Sequence, residues 1–418
     1  MSRTLAEKLA HVKPGTLFGG VDLGLDRNVA VVITEHAQRV AKFRFPHDQA
    51  GYAYFRRRLE RLQERHQSPA ALVGMEPTNY FWKLLATDLE QHGIPYRLVN
   101  AYTVKKHREG DQLDRSKDDA RDAFTIADLL RTGKYTATQL LHGGYAELRH
   151  YAAVYEQLRR KVGQQKNLLH AGVGPLFPEL SSVFKDLTGE TALAMLQNHA
   201  AASVLREMSR EAFVVGVRAD FRGQRLQVSK LRRAHALAAA SVGVRDGVQA
   251  LQLMVQQQIA VLAELEGQRE AVRSAMVHTF LALPESRYLL SVPSLGPLSA
   301  ATILAEIGDP KNYRNARQLI KLAGTQPVPN RSGRKSRSRT PMSHKGRPRL
   351  RTALFFATLR LIQVDDAFAR QYRRFQQREV NPLTKMQALG ALMNKLLRIL
   401  WALMRHQTLY DPTHGYAD

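Results

Sequence analysis

A chain of 418 residues, 44% hydrophobic and 24% charged, is long enough for two or three buried cores and too apolar for a disordered polycation. Its 62 Lys and Arg against 37 Asp and Glu give a formal net charge of +25, which favours a polyanionic partner, nucleic acid ahead of a membrane surface, bound in a salt-sensitive way. The absence of cysteine excludes disulfides, the usual zinc fingers and thiol nucleophiles, and fits a cytoplasmic protein. No apolar run reaches the ~20 residues of a bilayer span, and "MSRTLAEKLAHVKPG" does not read as a signal peptide.

From Leu17 to Asn100 the pattern is strand, strand, strand, helix, strand, helix, strand. The strands are "LFGGVDLG", "NVAVVITE", "VAKFRFP", "ALVGMEP" and "YRLVNA", and "AYFRRRLERLQERHQ" is one of the helices. Three short strands followed by alternating helices and strands predict a mixed α/β sheet, for which the RNase H-like arrangement is the nearest match. Next comes "DRSKDDARDAF", in which Ser116 and Asp119 match a capping box, predicting a helix from Lys117 through "DDARDAFTIADLL". Asp118 and Asp119 in its first turn would complement the helix dipole and need no further role. Asp122 lies one turn deeper, beside Ala123, Ile126 and Ala127, and shares a face with Asp119. Two carboxylates there repel unless a cation sits between them.

Beyond Gly143 long amphipathic runs replace strands. Val248, Val255, Leu262, Arg269 and Met276 as a positions, with Leu251, Gln258, Leu265 and Val272 as d, predict a long helix with a coiled-coil seam, packed in its own monomer or pairing with a second copy. The segment "DFRGQRLQVSKLRRAHALAAAS", Asp220 to Ser241, reads as a solvated basic face that caps or joins helices. "LLSVPSLGPLSAATILAEIGDP" sets Pro293, Gly296 and Pro297 ahead of an apolar helix, like a helix-hairpin-helix turn. "PNRSGRKSRSRTPMSHKGRPRLR" is a dense basic loop held between ordered elements, followed by the apolar helix "TALFFATLRLI". The last helix, "KMQALGALMNKLLRILWALMR", reads as core of the same unit.

Two further acids stand where apolar residues are expected. Asp22 interrupts the first strand, and Glu76 closes "ALVGMEP", where Pro77 biases it toward extended geometry. Each alone reads equally as a solvated strand end. Taken with Asp119 and Asp122, they form the set of two strand-borne acids and a helical pair with which an RNase H-like sheet holds two divalent ions. Such hard cations take oxygen ligands and keep waters and phosphate oxygens. Asp26, in "GLDRN", competes for the first position but reads as a turn residue. Asp114 and Asp118 read as a loop and a helix-start residue.

The order Asp22, Glu76, Asp119, Asp122, followed by "SVPSLGPLSAATILAEIGD" and "LAGTQPVPNRSG", resembles the DEDD-type insertion-sequence transposases of the IS110 family, which are bridge-RNA-guided recombinases. The resemblance covers roughly residues 15 to 135 and 285 to 405. It implies a multidomain α/β plus all-α fold: an RNase H-like, RuvC-like catalytic domain at 1–140, a helical coiled-coil middle at 141–284, a mainly helical C-terminal transposase domain at 285–405, and a tail at 406–418. By motif, "VDLG" supplies Asp22, "GMEPTNYF" Glu76, "KDDARDA" Asp119 and Asp122, and "PNRSGRK" the serine nucleophile Ser332. The resemblance also implies Mg²⁺, two ions with Mn²⁺ able to substitute, and a non-coding bridge RNA that pairs with donor and target DNA. It implies a dimer or tetramer, acting in a prokaryotic cytoplasm in association with the nucleoid.

The segment after Asp22 lacks the Ser-Lys or His-Lys often found there. Asn79 stands where glycine is usual, and the middle region is long and basic. On composition alone Ser332 is a linker residue, and Ser336, Ser338 and Ser343 are chemically equal to it, since any serine hydroxyl needs activation; the Ser-Gly motif singles Ser332 out. In the implied mechanism metals polarise a phosphate, Ser332 forms a phosphoserine linkage, and the freed 3′-hydroxyl rejoins another strand. Arg331, Arg334, Lys335, Arg337, Arg339, Lys345, Arg347 and Arg349 are the expected phosphate contacts. The alternatives are a hydrolytic nuclease or junction resolvase using metal-activated water, and a non-catalytic nucleic-acid-binding protein.

Overall fold

In the computed structural model, which describes residues 12–77, 80–111, 118–136, 140–328, 331–332, 335–336 and 341–413, the chain divides into two units, Met1–His142 and Gly143–Asp418. The first contains β1 (Leu17–Asp22), β2 (Arg27–Ile33), β3 (Arg39–Pro46), α1 (Gln49–Arg65), β4 (Ala71–Met75), α2 (Phe81–Gln91), β5 (Tyr96–Leu98), α3 (Ala101–Asp111) and α4 (Asp119–Arg131). The five expected strands are all present, in the order β3-β2-β1-β4-β5 across one sheet. β1 to β3 run antiparallel, while β1, β4 and β5 are parallel, an arrangement consistent with the RNase H-like expectation. The central strands β1, β2 and β4 are buried along almost their whole length, so they read as continuous apolar runs; edge strand β3 alternates. Phe43, Phe45, Phe55, Leu59, Leu85 and Leu89 fill one face of the sheet, and α4 covers the other through Ala123, Ile126, Ala127 and Leu130.

Two strand glycines make that second face possible. Gly20 of β1 and Gly74 of β4 are register partners in the parallel pair. A methyl group on Gly20 would overlap the carbonyl oxygen of Ala123 and stand 2.5 Å from the Ala127 nitrogen. One on Gly74 would stand 2.5 Å from Leu130 Cδ1. The bare strand backbones therefore admit the α4 backbone at Gly20 and the Leu130 side chain at Gly74.

The start of α4 differs from the expectation. Asp118, extended at φ −130°, is the N-cap, its Oδ1 accepting the Ala120 N–H at 3.1 Å, and the helix begins at Asp119. A carboxylate one residue ahead of the helix reaches the free amides of the first turn, which takes the role assigned to Ser116. Asp114, Ser116 and Lys117 lie outside the described residues.

The second unit contains α5 (Gly143–Leu176), a 3₁₀ turn (Pro178–Ser182), α6 (Glu190–His199), α7 (Ala202–Arg206), α8 (Arg210–Asp220), α9 (Val228–Ala238), α10 (Val248–Leu281), α11 (Ser286–Leu290), α12 (Pro297–Ile307) and α13 (Ala316–Ala323). There follow β6 (Arg331–Ser332), β7 (Lys335–Ser336), α14 (Pro348–Val364), α15 (Asp366–Gln377) and α16 (Lys385–His406). The predicted seam on α10 packs against α5 of the same chain, antiparallel. Gln165 Nε2 donates to the Gln258 carbonyl at 3.1 Å, and Lys166 Nζ lies 3.5 Å from Glu266. Seam residues Val255 and Leu262 enter one core with α6 to α9, and Met276 enters another with α11 to α16. The two long helices thus run through both cores, and the expected step at 284/285 lies inside this unit.

The turn before α12 holds Ser294 at φ +65°, Gly296 as N-cap and Pro297 at the first helical position. The expected tail is tied down as far as Tyr410, whose N–H donates to Ser291 Oγ at 2.9 Å and whose hydroxyl donates to the buried Asp365 carboxylate at 2.8 Å. Among the described residues no helix is long and apolar enough to cross a membrane.

Gly20→Ala should destabilise the first unit by about 3 kcal/mol, because overpacking here meets backbone rather than a flexible side chain. Gly19→Ala, whose methyl would meet Val73 at an ordinary 3.9 Å, should melt close to the parent. Equal melting temperatures for the two variants would contradict the close approach.

Candidate active site

The parallel register Val21↔Met75 brings the next residues of both strands, Asp22 and Glu76, off adjacent carboxyl ends of the sheet. α4 sets Asp119 and Asp122 in its first turn. The four carboxylates line one cleft of about 270 Å³ with Leu23, Gly24, Arg27 and Val29. Asp122 is buried at 8% exposure, Asp22 and Glu76 are half-buried, and Asp119 is exposed. Asp26 stands exposed in the turn after β1 and is not among the lining residues.

Among the described residues the donor set is all carboxylate oxygen, with Arg27 as the one lining cation, which is the chemistry a hard divalent ion requires. Among the described residues no three His, Asp or Glu side chains converge on a single ion position. The carboxylates thus fit a metal in kind, on a cleft wide enough for waters or phosphate oxygens to complete the ligand shell.

Behind the cleft lies a residue that motif reading passed over. His47, between β3 and α1, places Nε2 2.8 Å from the carbonyl oxygen of Gly24. A carbonyl only accepts, so Nε2 carries the proton and Nδ1 is left as acceptor. Nδ1 lies 3.3 Å from the amide nitrogen of the fully buried Asn28 and 3.2 Å from the Tyr52 hydroxyl, both able to donate. Burial, with Asp88 and Asp48 nearby, pushes the Tyr52 phenol up to about 12, so it keeps its proton at neutral pH. The ring stacks on Phe81 at 4.1 Å. His47 thereby ties the turn that follows Asp22 to the helix that follows Glu76. Its only local signal is the junction "FPHDQAGY", which announces a helix cap and nothing about the cleft.

At the other end of α4, Asp128 accepts from Arg131 Nε at 2.8 Å and lies 3.1 Å from His107 Nε2 on α3. Burial alone would raise this carboxyl, but the hydrogen bonds from Arg131 and His107 outweigh it and hold it below the usual range. The helix carrying the acid pair is thus pinned at both ends.

In the second unit, the Ser332 segment is a hairpin rather than an open loop. Ser332 pairs with Lys335 and Arg331 with Ser336. Below them Pro327 bridges Met342, the Ser343 N–H donates to the Gln326 carbonyl at 3.0 Å and the His344 N–H to the Gly324 carbonyl at 3.0 Å. The Ser343 hydroxyl is occupied in this base, donating to the Gly324 carbonyl at 3.3 Å. Arg334, Arg337, Ser338 and Arg339 lie outside the described residues.

Arg347 and Arg349, expected at phosphate, also pair with an acid of their own unit. Glu306 is 3% exposed, and Arg349 Nε reaches its carboxylate at 2.9 Å. Arg347 donates to the Glu306 backbone carbonyl, and its guanidinium lies 3.8 Å from the carboxylate. Arg149 Nη2 reaches the same carbonyl at 3.1 Å. Burial, with Arg347 beside it, lowers the Arg149 guanidinium to about 10, against the pull of Glu306. A buried carboxylate needs such compensation, and these arginines supply it at the base of the hairpin. Lys345 is exposed beside them.

Two family models match the chain, a transposase model over residues 19–178 and that of the transposase IS116/IS110/IS902 family over residues 286–373. The chain is 27% identical over 301 residues, 71% of its length and 72% of the relative's, to the insertion element IS110 uncharacterized 43.6 kDa protein of Streptomyces coelicolor. It is 23% identical over 403 residues, 94% and 96% of the two chains, to the insertion element IS116 uncharacterized 44.8 kDa protein of Streptomyces clavuligerus. It is 30% identical over 133 residues, 31% and 40% of the two chains, to the pilin gene-inverting protein of Moraxella lacunata. The first model takes in all four cleft carboxylates and the second takes in Ser332, so by both of its ends this chain belongs to the IS110 family of DEDD transposases.

Proposed function

We propose that this transposase cleaves and rejoins DNA, and that Asp22, Glu76, Asp119 and Asp122 are its metal-binding carboxylates. The observation that supports this is the delivery of four acids by three separate elements to one cleft in an otherwise cationic chain. Mg²⁺, or Mn²⁺ in its place, would supply charge stabilisation to a phosphate held there. The chain's own part is to hold the carboxylates apart from bulk water at Asp122 and to fix the neighbouring turn through His47.

Ser332 is the proposed nucleophile. Its Oγ attacks phosphorus, forms a phosphoserine ester and releases a 3′-hydroxyl; attack by another 3′-hydroxyl on that ester rejoins the strand and returns the serine. Support comes from the Ser-Gly step of the hairpin and from the family match over it. Arg331, Arg334, Lys335, Arg337, Arg339 and Lys345 would neutralise phosphate around it. Guidance by a non-coding bridge RNA and assembly as a dimer or tetramer rest on the family resemblance.

Asp119→Asn and Asp122→Asn should each abolish strand cleavage while shifting stability by less than about 1 kcal/mol, since removing one of several like charges relieves repulsion. Thermal melting beside a cleavage assay tests this, and full activity in either variant would remove the assignment. Ser332→Ala should bind DNA as the parent does but leave no denaturation-resistant protein–DNA adduct. Cleavage that persists in Ser332→Ala would point instead to activated water. His47→Ala should speed hydrogen exchange in residues 23–27 and lower cleavage roughly tenfold, the cost of about 1.4 kcal/mol of lost positioning. Unchanged exchange there would show that the turn stands without it.

A further inference from the structure

The residues from Phe221 to Arg245 carry six Lys and Arg and no Asp or Glu. Local composition alone would make this a solvated basic face, but the structure sorts its cations. In α9 the inward stripe is Leu231, Ala234 and Ala238, a core-facing set that leaves Arg232 and Arg233 exposed on the opposite side. Arg222 and Arg225 are exposed in the turn before it. Two other basic groups are engaged: Lys230 lies 5.5 Å over the Phe184 ring, and His235 Nε2 bonds the Met208 carbonyl at 2.9 Å.

Three arginines elsewhere in this unit are neutralised by an acid one turn away. Arg159 and Arg160 pair with Glu156, and Arg273 pairs with Glu270. Arg222, Arg225, Arg232 and Arg233 have no ion pair among the described residues. The nearby acids are engaged: Glu190 accepts the Gln224 N–H at 3.1 Å, Asp220 accepts from Asn198 at 2.8 Å, and Glu211, which Arg232 feels at a distance, pairs with Arg210. Arg222 is also braced, its Nη1 donating to the Ala219 carbonyl at 2.7 Å. Ser229, Ala236, Ala239 and Ala240 are exposed on α9 and just after it, so no bulky side chain keeps a partner from the arginines.

We propose that Arg222, Arg225, Arg232 and Arg233 form a second contact surface, in the helical insertion between α5 and α10, for the phosphate backbone of duplex DNA. Exposed guanidinium groups with no ion pair among the described residues, one of them braced at Arg222, match phosphates in charge and in hydrogen-bond geometry. The segment has no exposed aromatic ring, Phe221 being half-buried, so it lacks the stacking platform that single strands use. The surface carries no base-reading pattern and acts independently of sequence.

The test is fluorescence anisotropy with full-length protein, a labelled DNA duplex of arbitrary sequence, chelator in place of divalent ion, and a series of salt concentrations. Replacing all four arginines by Gln should weaken binding roughly tenfold or more near 0.1 M salt and flatten the logarithmic salt slope by roughly 2 to 4. The control Arg159→Gln/Arg160→Gln/Arg273→Gln, which removes paired charges from the same unit, should change the slope by less than about 1. On the unaltered protein, the duplex should slow hydrogen exchange in residues 221–238, which keeps the test independent of how the variant folds. An unchanged slope, an equal effect in the control, no protection, or a loss confined to a single-stranded or hairpin RNA probe would each overturn the proposal. No cleavage is read, so the outcome is separate from the fate of the acidic cleft.

Discussion

The close approach of one helix to two strand glycines governs the N-terminal unit. Because Gly20 and Gly74 lie side by side in parallel register, the α4 backbone closes onto Gly20 and its Leu130 side chain onto Gly74. That seating lowers Asp119 and Asp122 to the level of the strand ends that carry Asp22 and Glu76. A side chain at either glycine would lift the helix, and a displacement of about 1 Å is enough to spoil a catalytic arrangement. The pins at the helix ends, Asp118 at the first turn and Asp128 at the last, hold the same geometry along the helix axis.

Charge is distributed with the same economy. A chain with an excess of 25 positive charges gathers four carboxylates in one cleft, with Arg27 among the described residues that line it. In the helical unit, a single buried glutamate, Glu306, gathers Arg149, Arg347 and Arg349 and so anchors the base of the basic hairpin. Arginines of the same unit consequently do unlike things. Some stabilise the fold as counter-ions of buried acids, and others stay exposed with their charge available to a polyanion.

The antiparallel pair α5 and α10 plays the organising part in the second unit. Each helix contributes one end to the core of the inserted helices and the other end to the core of the C-terminal helices. The hydrophobic seam on α10 is therefore satisfied within the chain. Heptad spacing specifies that a helix needs a partner, and not which chain supplies it.

Strand order, the helical remainder and the four carboxylates were legible from local pattern, because apolar runs, turn residues and misplaced acids are visible in a window of a few residues. The helix-turn signal around Pro293 and Gly296 was legible for the same reason, while the strand pairing at Ser332 was not, its segment reading only as a basic loop. What only the tertiary structure decided depends on contacts between distant residues. Asp118 rather than Ser116 caps α4 because the cap is chosen by where the chain turns onto the sheet. His47 gains its role from Gly24 and Phe81, which lie far from it in sequence. Arg347 and Arg349 resemble their neighbours in the basic run until Glu306, on another helix, takes their charge. Gly20 and Gly74 look like ordinary weak strand positions until the α4 backbone lies across the first and Leu130 across the second. Local chemistry names the groups a protein has, while burial and long-range packing determine which of them remain available to a ligand.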